Sequence, residues 1–479
     1  MMNSDTIIDG QIEKIQNVFR LHQKQAKLTG LESYSERVEK LKKLEKWIKE
    51  NRKKIKDAIF KDFNKPPEEV DMTEIFAVLS DINYNVKHLK KWMKPQKVHT
   101  PLTLLGTSSY LRHEAKGVCL IIAPWNYPFQ LLVSPLISAI AAGNTAILKP
   151  SEITPNTSKL IVEMCSDVFD PSEVVAFEGA VEVSKALLEL PFDHIFFTGS
   201  PTVGKIVMAA AAKNLTSVTL ELGGKSPTII DETANLEDAA EKIVYGKFVN
   251  NGQTCIAPDY LLVHQKVEFG LIDEIRKVIN KMFDHDGKGI DNSPNYARIV
   301  NEKHYLRLVE LIDNAASSGA EILIGGKYKS NERFISPTII RNIPKDSALL
   351  DEEIFGPILP IVTFTDSQEC IDFINDRPKP LAQYIFSKSS ENQQFILNNT
   401  SAGGVCINDC LIHFMNHELP FGGVNNSGIG KSHGLFGFKE FSNEKGILKQ
   451  RIGRTAVKPL YPPYSSTSRK MIDFLMKYF

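Results

Sequence analysis

GVCLIIAPWNYPFQLLVSPLISAIAAGNTAILKP, residues 117–150, contains three successive signals. Val118–Ile122 is a short apolar run rich in β-branched residues and reads as a strand. Pro124 and Pro128 then stiffen a loop that also carries Trp125, Asn126 and Tyr127. From Phe129 to Leu148 there is no charge for twenty residues, long enough to span a bilayer. Gln130, Pro135, Ser138, Gly143, Asn144 and Thr145 interrupt that run, and an Ala-Gly-Asn turn breaks it in the middle. A buried helix, a turn and a buried strand at Thr145–Leu148 is therefore the better reading. Strand, helix, strand is the unit of a parallel sheet.

The same grammar continues outward. Val174–Phe177 follows a helical pattern at 157–169, His194–Phe197 follows 181–190, and Val218–Leu222 follows 202–213. Short apolar strands separated by helices predict an α/β, mostly parallel, doubly wound sheet, which binds ligands at the carboxyl ends of its strands. Tyr260–Val263, Glu321–Ile324, Ile354–Thr363 and Gln383–Phe386 are strand-like and predict a second α/β unit. Upstream, the first ninety residues read as helices. Over Ser35–Phe60, Val38, Leu41, Leu44, Ile48, Ile55 and Ile59 form one apolar stripe among solvated lysines. Leu102, Leu104 and Leu105 before Gly106, then Ser108–Leu111, predict a hairpin within 95–113. At the other end, Pro459–Ser468 reads as extended. Arg469–Phe479 reads as an amphipathic helix with Lys470, Asp473 and Lys477 on one side, expected to dock on its own protein rather than on a membrane.

Composition excludes whole classes. At ~150 residues per domain, 479 residues make roughly three units. With 42% hydrophobic and 24% charged residues, 29 Gly and 25 Pro, the chain is neither disordered nor fibrous. Lys plus Arg and Asp plus Glu are 57 each, so there is no global charge for nucleic acid. The six cysteines include no CxxC pair, and MMNSDTIIDGQIEKIQ has no signal-peptide pattern. A reducing, cytoplasmic setting is the expectation. His413 and His417, four apart, lack a third ligand at a plausible spacing, so no metal site is expected. His413 is instead a candidate for lining a substrate tunnel.

Several residues can carry chemistry. Cys255 follows the turn Asn250-Asn251-Gly252-Gln253-Thr254, where backbone N–H groups can lower a thiol's pKa and hold an oxyanion. The plain alternative is an inert buried cysteine. Glu221 ends a strand before Gly223-Gly224, placed for a cleft and open to an upward pKa shift, or else simply paired with Lys225. Asn126 can donate to an oxyanion, or cap the helix that follows. Lys149 and Glu152, after another strand, suit ribose hydroxyls. Gly199, Ser200 and Gly204 lie in a strand-to-helix turn that can take a phosphate, though it is not the GxGxxG fingerprint.

Together these residues resemble the NAD(P)-dependent aldehyde dehydrogenase superfamily, over about residues 30 to 455. The carriers are PWNYP at 124–128, KPSE at 149–152, FTGSPTVG at 197–204, LELGGKSP at 220–227, GQTC at 252–255, EEIFGP at 352–357 and LPFGGVNNSG at 419–428. The short Val174–Gly199 segment, Ile407-Asn408-Asp409 with His413 and His417, Pro258, and Tyr461-Pro462-Pro463-Tyr464 resemble the class 3 branch, which acts on fatty and aromatic aldehydes. Asn425-Asn426 departs from the usual Gly-Asn of that loop.

The resemblance implies a Rossmann-type cofactor domain over 1–94 and 113–221, and a catalytic domain over 222–423. It further implies a small β oligomerisation element from 95–112 and 424–455, a tail over 456–479, and a homodimer. It implies Cys255 as nucleophile, Asn126 as oxyanion donor and Glu221 as the base that activates water. Trp125, Lys149, Glu152, Gly199, Ser200, Gly204, Leu222, Gly223, Glu353 and Phe355 would meet NAD, with NADP possible. Acyl-CoA-forming or phosphorylating relatives, a silent NAD-sensing relative, and a scaffold tethered through the C-terminal helix are the alternatives.

Overall fold

The computed structural model describes residues 4–453 and 455–478. Met1–Asn3 of the N-terminal reading, and Phe479 of the tail reading, lie outside the described residues. The amino-terminal part is helical, but Ser35–Phe60 is not one helix. It divides into Tyr34–Glu50 and Arg52–Phe63 at Asn51, whose side-chain amide donates to Trp47 O at 2.9 Å. A short amide side chain offers the backbone a partner outside the helix ladder, so it ends one helix as readily as it continues it. A further helical run goes from Pro67 to Trp92 with a π turn at Asp71–Ile75. Such turns widen a helix locally and redirect side chains.

The uncharged stretch folds as the helix Gln130–Ala142, a left-handed Gly143 (φ 89) and the strand Thr145–Lys149. Among the described residues no helix is long and apolar enough to cross a membrane. The first sheet has six strands in the order 428–429, 217–222, 194–199, 118–122, 145–149, 174–176. All its pairs are parallel except that of 428–429 with 217–222. The chain winds outward from 118–122, then restarts on its other side at 194–199. The gap between these two carboxyl ends is the switch point where such sheets bind ligands.

The second sheet has seven strands, in the order 321–324, 338–341, 358–364, 260–264, 227–230, 382–386, 404–407. Strands 227–230, 338–341 and 404–407 escape the sequence reading because runs of only four residues are too short to show an alternation, and 227–230 is buried throughout. The strand expected from Ile354 begins at Ile358. Phe355 sits at φ 51, which breaks the extended backbone before Ile358, while Pro357 O already accepts from Thr338 N at 2.9 Å.

The hairpin is real but shifted. Gln96–Val98 pairs with Thr107–Ala115, while Leu102–Leu104 forms a 3-10 turn after Pro101. Thr107–Ala115 pairs along its whole length with Ser442–Gln450. At the end of the chain, Ser466–Tyr478 is helical and begins inside the run expected to be extended.

Candidate active site

Leu222, the last residue of its strand in the first sheet, is joined to Pro227 of the second sheet by Gly223-Gly224-Lys225-Ser226. A connection this short cannot run the length of a strand. The carboxyl edge of the first sheet therefore meets the amino edge of the second. The expectation of ligand binding at the strands' carboxyl ends therefore covers only part of the site. Asn126, Lys149, Ser200 and Glu221 lie at such ends, but Cys255, Glu353 and Phe355 precede their strands.

Cys255 is delivered by an unusual turn. Asn250, Asn251 and Gly252 take φ values of 52, 56 and 73. Side-chain amides hold this turn: Asn250 Nδ2 donates to Asn126 O at 2.8 Å, Asn251 Nδ2 to Ala297 O at 2.6 Å and Gln253 Nε2 to Arg298 O at 3.0 Å. Three amides within the five residues before the cysteine are the signal that could have marked them. Asn126 does not cap the next helix; its Nδ2 donates to Gln253 O at 3.0 Å, binding its loop to the cysteine's. Below both loops lie three charged residues that sequence reasoning missed. Glu69 accepts from Asn250 N at 2.9 Å, Glu74 accepts from Phe129 N and Gln130 N at 3.1 and 2.8 Å, and Lys65 pairs with Glu74 at 3.1 Å.

The Cys255 thiol is not depressed as its turn suggested. Burial, with Glu353 and then Glu221 nearby, pushes it up to about 12 against the opposing N–H groups of Cys255 and Ile256. Burial likewise lifts Glu221 to about 8, opposed by the Ser432 hydroxyl, which donates to Oε1 at 2.8 Å. Among the described residues, Glu221 Oε2 has no hydrogen-bond partner. Lys225 does not pair with Glu221; it is bound to Asp259 and to the carbonyls of Leu349 and Glu352 at 2.8 and 2.7 Å.

A channel of about 180 Å³ ends at Cys255. Its outer wall includes Met72, Phe76, Ile412 and Met415, each about half exposed. Farther in stand Tyr127, Leu131, Val249 and Phe421. Beyond it, an inner chamber of about 40 Å³ is lined by Cys255, Glu221, Asp81, Ser432 and His433. His413 lines neither; His417 and His433 line the channel instead. His413 is turned toward Gly404 and Phe421. Among the described residues no group of His, Cys, Asp and Glu is arranged to hold a metal.

On the other side of Cys255 the residues fit a dinucleotide. Glu353 accepts from Gly224 N and is lifted to about 8 chiefly by burial, and among the described residues its buried Oε1 has no hydrogen-bond partner. A Cβ on Gly223 would lie 2.1 Å from Glu353 Oε2, so a side chain there would push the Glu353 carboxylate out of its place. Trp125 packs edge-on against Phe355, ring centroids 5.3 Å apart. Lys149 Nζ lies 3.2 Å from Glu152 Oε2. Ser200 caps the helix Pro201–Ala212, accepting from Val203 N at 3.4 Å, while Gly204 packs beneath against Leu222. The N-terminal N–H groups of that helix are disposed for a phosphate.

Comparison with known proteins agrees with this geometry. The model of the aldehyde dehydrogenase family matches residues 5–447. The chain is 49% identical over 412 residues to 4,4'-diaponeurosporen-aldehyde dehydrogenase of Staphylococcus aureus, covering 86% of this chain and 88% of that protein. It is 41% identical to mouse aldehyde dehydrogenase family 3 member B3, covering 91% and 90% of the two chains. A substrate-bound Staphylococcus aureus AldH structure superposes with a TM-score of 0.92 at 45% identity, covering 96% of this chain and 99% of that one. A Bacillus cereus aldehyde dehydrogenase in complex with NAD+ gives 0.83 at 28% identity, covering 92% and 89%. The chain belongs to the aldehyde dehydrogenase family and oxidises aldehydes to carboxylic acids with NAD(P).

Proposed function

We propose that this enzyme oxidises medium- or long-chain aliphatic or aromatic aldehydes through a covalent Cys255 intermediate. The observation that carries this is that Glu221 and Cys255 line one small chamber at the end of an apolar channel. The aldehyde carbon enters along the channel, whose walls suit a hydrocarbon tail. The thiol passes its proton by water to solvent along the channel, sulfur bonds to the carbonyl carbon, and the C=O π pair moves onto oxygen, forming a thiohemiacetal. Its oxyanion is held by the Asn126 amide and the Cys255 N–H; one such donor is worth ~3 kcal/mol. The bound dinucleotide supplies the hydride acceptor. The resulting thioester is hydrolysed by water that Glu221 deprotonates, and the sulfur leaves as thiolate.

Lys149 and Glu152 would hold the adenine ribose, Gly199 and Ser200 the pyrophosphate above Gly204, and Glu353 the nicotinamide ribose beside Phe355, Trp125, Leu222 and Gly223. Glu152 favours the free diol of NAD over a 2′-phosphate, so NAD is the expected cofactor, with NADP accepted. The first sheet's strands between 118 and 222 make the cofactor domain, and the second sheet makes the catalytic domain. Gln96–Val98, Thr107–Ala115 and Ser442–Gln450 make the element that joins two copies. A cytoplasmic homodimer is the form proposed.

The test is nicotinamide reduction across straight-chain and aromatic aldehydes. Cys255→Ala should abolish it, and Glu221→Gln should leave a single-turnover burst. A burst that becomes sustained only with CoA or phosphate would move the enzyme to the acyl-transferring branch.

A further inference from the structure

Hydrolysis at Glu221 releases a proton deep inside the protein, and a route for it can be traced. The inner chamber of about 40 Å³ has room for about three or four waters at roughly 10–15 Å³ each. Glu221 Oε2 and His433 Nδ1, on residues that line it, are buried without hydrogen-bond partners among the described residues. Asp81, 7% exposed, lines both the chamber and the channel. Its Oδ2 accepts from Ser134 Oγ, and its Oδ1 lies 3.1 Å from His417 Nδ1. His417 Nε2 meets Ser80 Oγ at 3.0 Å, and its ring lies 4.8 Å from that of Tyr84. The Tyr84 hydroxyl donates to the exposed Glu418. His433 stacks on Phe421 at 5.0 Å with its ring 6.3 Å from that of His417, and its backbone is held at φ 72. A non-glycine residue in that region is strained and needs its surroundings to keep it there.

We propose that Asp81, flanked by His433 and His417, is the proton exit of the hydrolytic step, a reading that rests on Glu221 as the base. Water's O–H bond breaks, its oxygen bonds to the acyl carbon, the C–S bond breaks, and the proton goes to Glu221. From there it passes through chamber water to Asp81 or His433 and on by His417 to solvent. The charged groups packed around this route are Lys431 and Glu440 behind Glu221, and Glu418 at the outer end.

The test uses the full-length enzyme turning over decanal with NAD in weakly buffering medium. Asp81→Asn is expected to show a first-turnover burst of reduced cofactor. A steady rate at least about tenfold below the parent should follow, and imidazole or formate should restore it. An unchanged steady rate overturns the proposal, and so does a loss of both phases that small buffers do not restore. Should Asp81→Asn fail to fold, His433→Gln is measured in the same way. Glu221→Gln separates the two readings: turnover at the parent rate there removes the base itself, whatever Asp81 does.

Discussion

The Ser432 hydroxyl donates to Glu221 Oε1 at 2.8 Å, fixing one carboxylate oxygen and leaving Oε2 bare toward the chamber shared with Cys255. Ser432 is 211 residues away in sequence, on the loop that follows the strand Gly428–Ile429. That strand pairs directly with the glutamate's own, Gly428 opposite Glu221.

Removing this bond should change when the base is active. The hydroxyl opposes the burial that lifts Glu221 to about 8, so Ser432→Ala should lift it further. A hydrogen bond to a charged group is worth ~1.5–3 kcal/mol, so the alkaline rise of steady-state turnover should move up by about one to two pH units. A pH–rate profile that stays in place would show that the serine does not tune this carboxylate.

Stability should fall as pH rises. Glu221 and Glu353 are lifted from 4.5 to about 8, and Glu69 to about 7, in each case mainly by burial. Between the unfolded and folded values the folded protein keeps protons that the unfolded chain has lost, so alkali favours unfolding through that window. Urea midpoints at about pH 5 and about pH 9 should differ in that direction, and Glu221→Gln should narrow the gap. A flat or rising stability curve would contradict it.

Gly252→Ala should damage catalysis more than folding. The residue sits at φ 73, and a Cβ there would lie 2.3 Å from Gly356 O. The turn must shift, carrying Cys255 away from Asn126. Activity should fall by at least about a hundredfold, since small displacements of reacting groups cost that much. Retained activity would mean that the turn adapts without moving the thiol.

Lys65→Met should be strongly destabilising. Lys65 and Glu74 are both fully buried, and Lys65 also lies 3.8 Å over the Tyr127 ring. Its removal leaves a buried carboxylate unpaired, at a cost of about 3–5 kcal/mol. Adding Glu74→Gln should recover part of that, although the N–H groups of Phe129 and Gln130 then lose a charged acceptor. Chemical denaturation of both variants checks it; a double variant no more stable than Lys65→Met would place the loss elsewhere.

Much of the fold was legible because parallel sheets announce themselves. Val118–Ile122, the helix after Pro128 and Thr145–Lys149 lie where periodicity and the Gly143 turn put them. The division at Asn51 and the 3-10 turn at Leu102–Leu104 were not legible, since both depend on local hydrogen bonds that compete closely with regular structure. At the candidate site, Cys255, Glu221 and Asn126 could be named from their motifs, but Ser432, Asp81, Glu69, Glu74 and Lys65 could not. A buried charge has no local signature; its meaning lies in a partner distant in the chain.

The sequence by itself determined the alternation of strands and helices, the family and the residue types available for chemistry, because these follow from local apolar patterns and short motifs. Only the tertiary structure decided that the carboxyl edge of one sheet faces the amino edge of the next across Gly223 and Gly224. That arrangement brings Cys255 and Glu221, 34 positions apart, to one chamber. It also decided the ionisation there: the same turn that aims N–H groups at Cys255 buries it beside carboxylates, and desolvation outweighs the N–H groups.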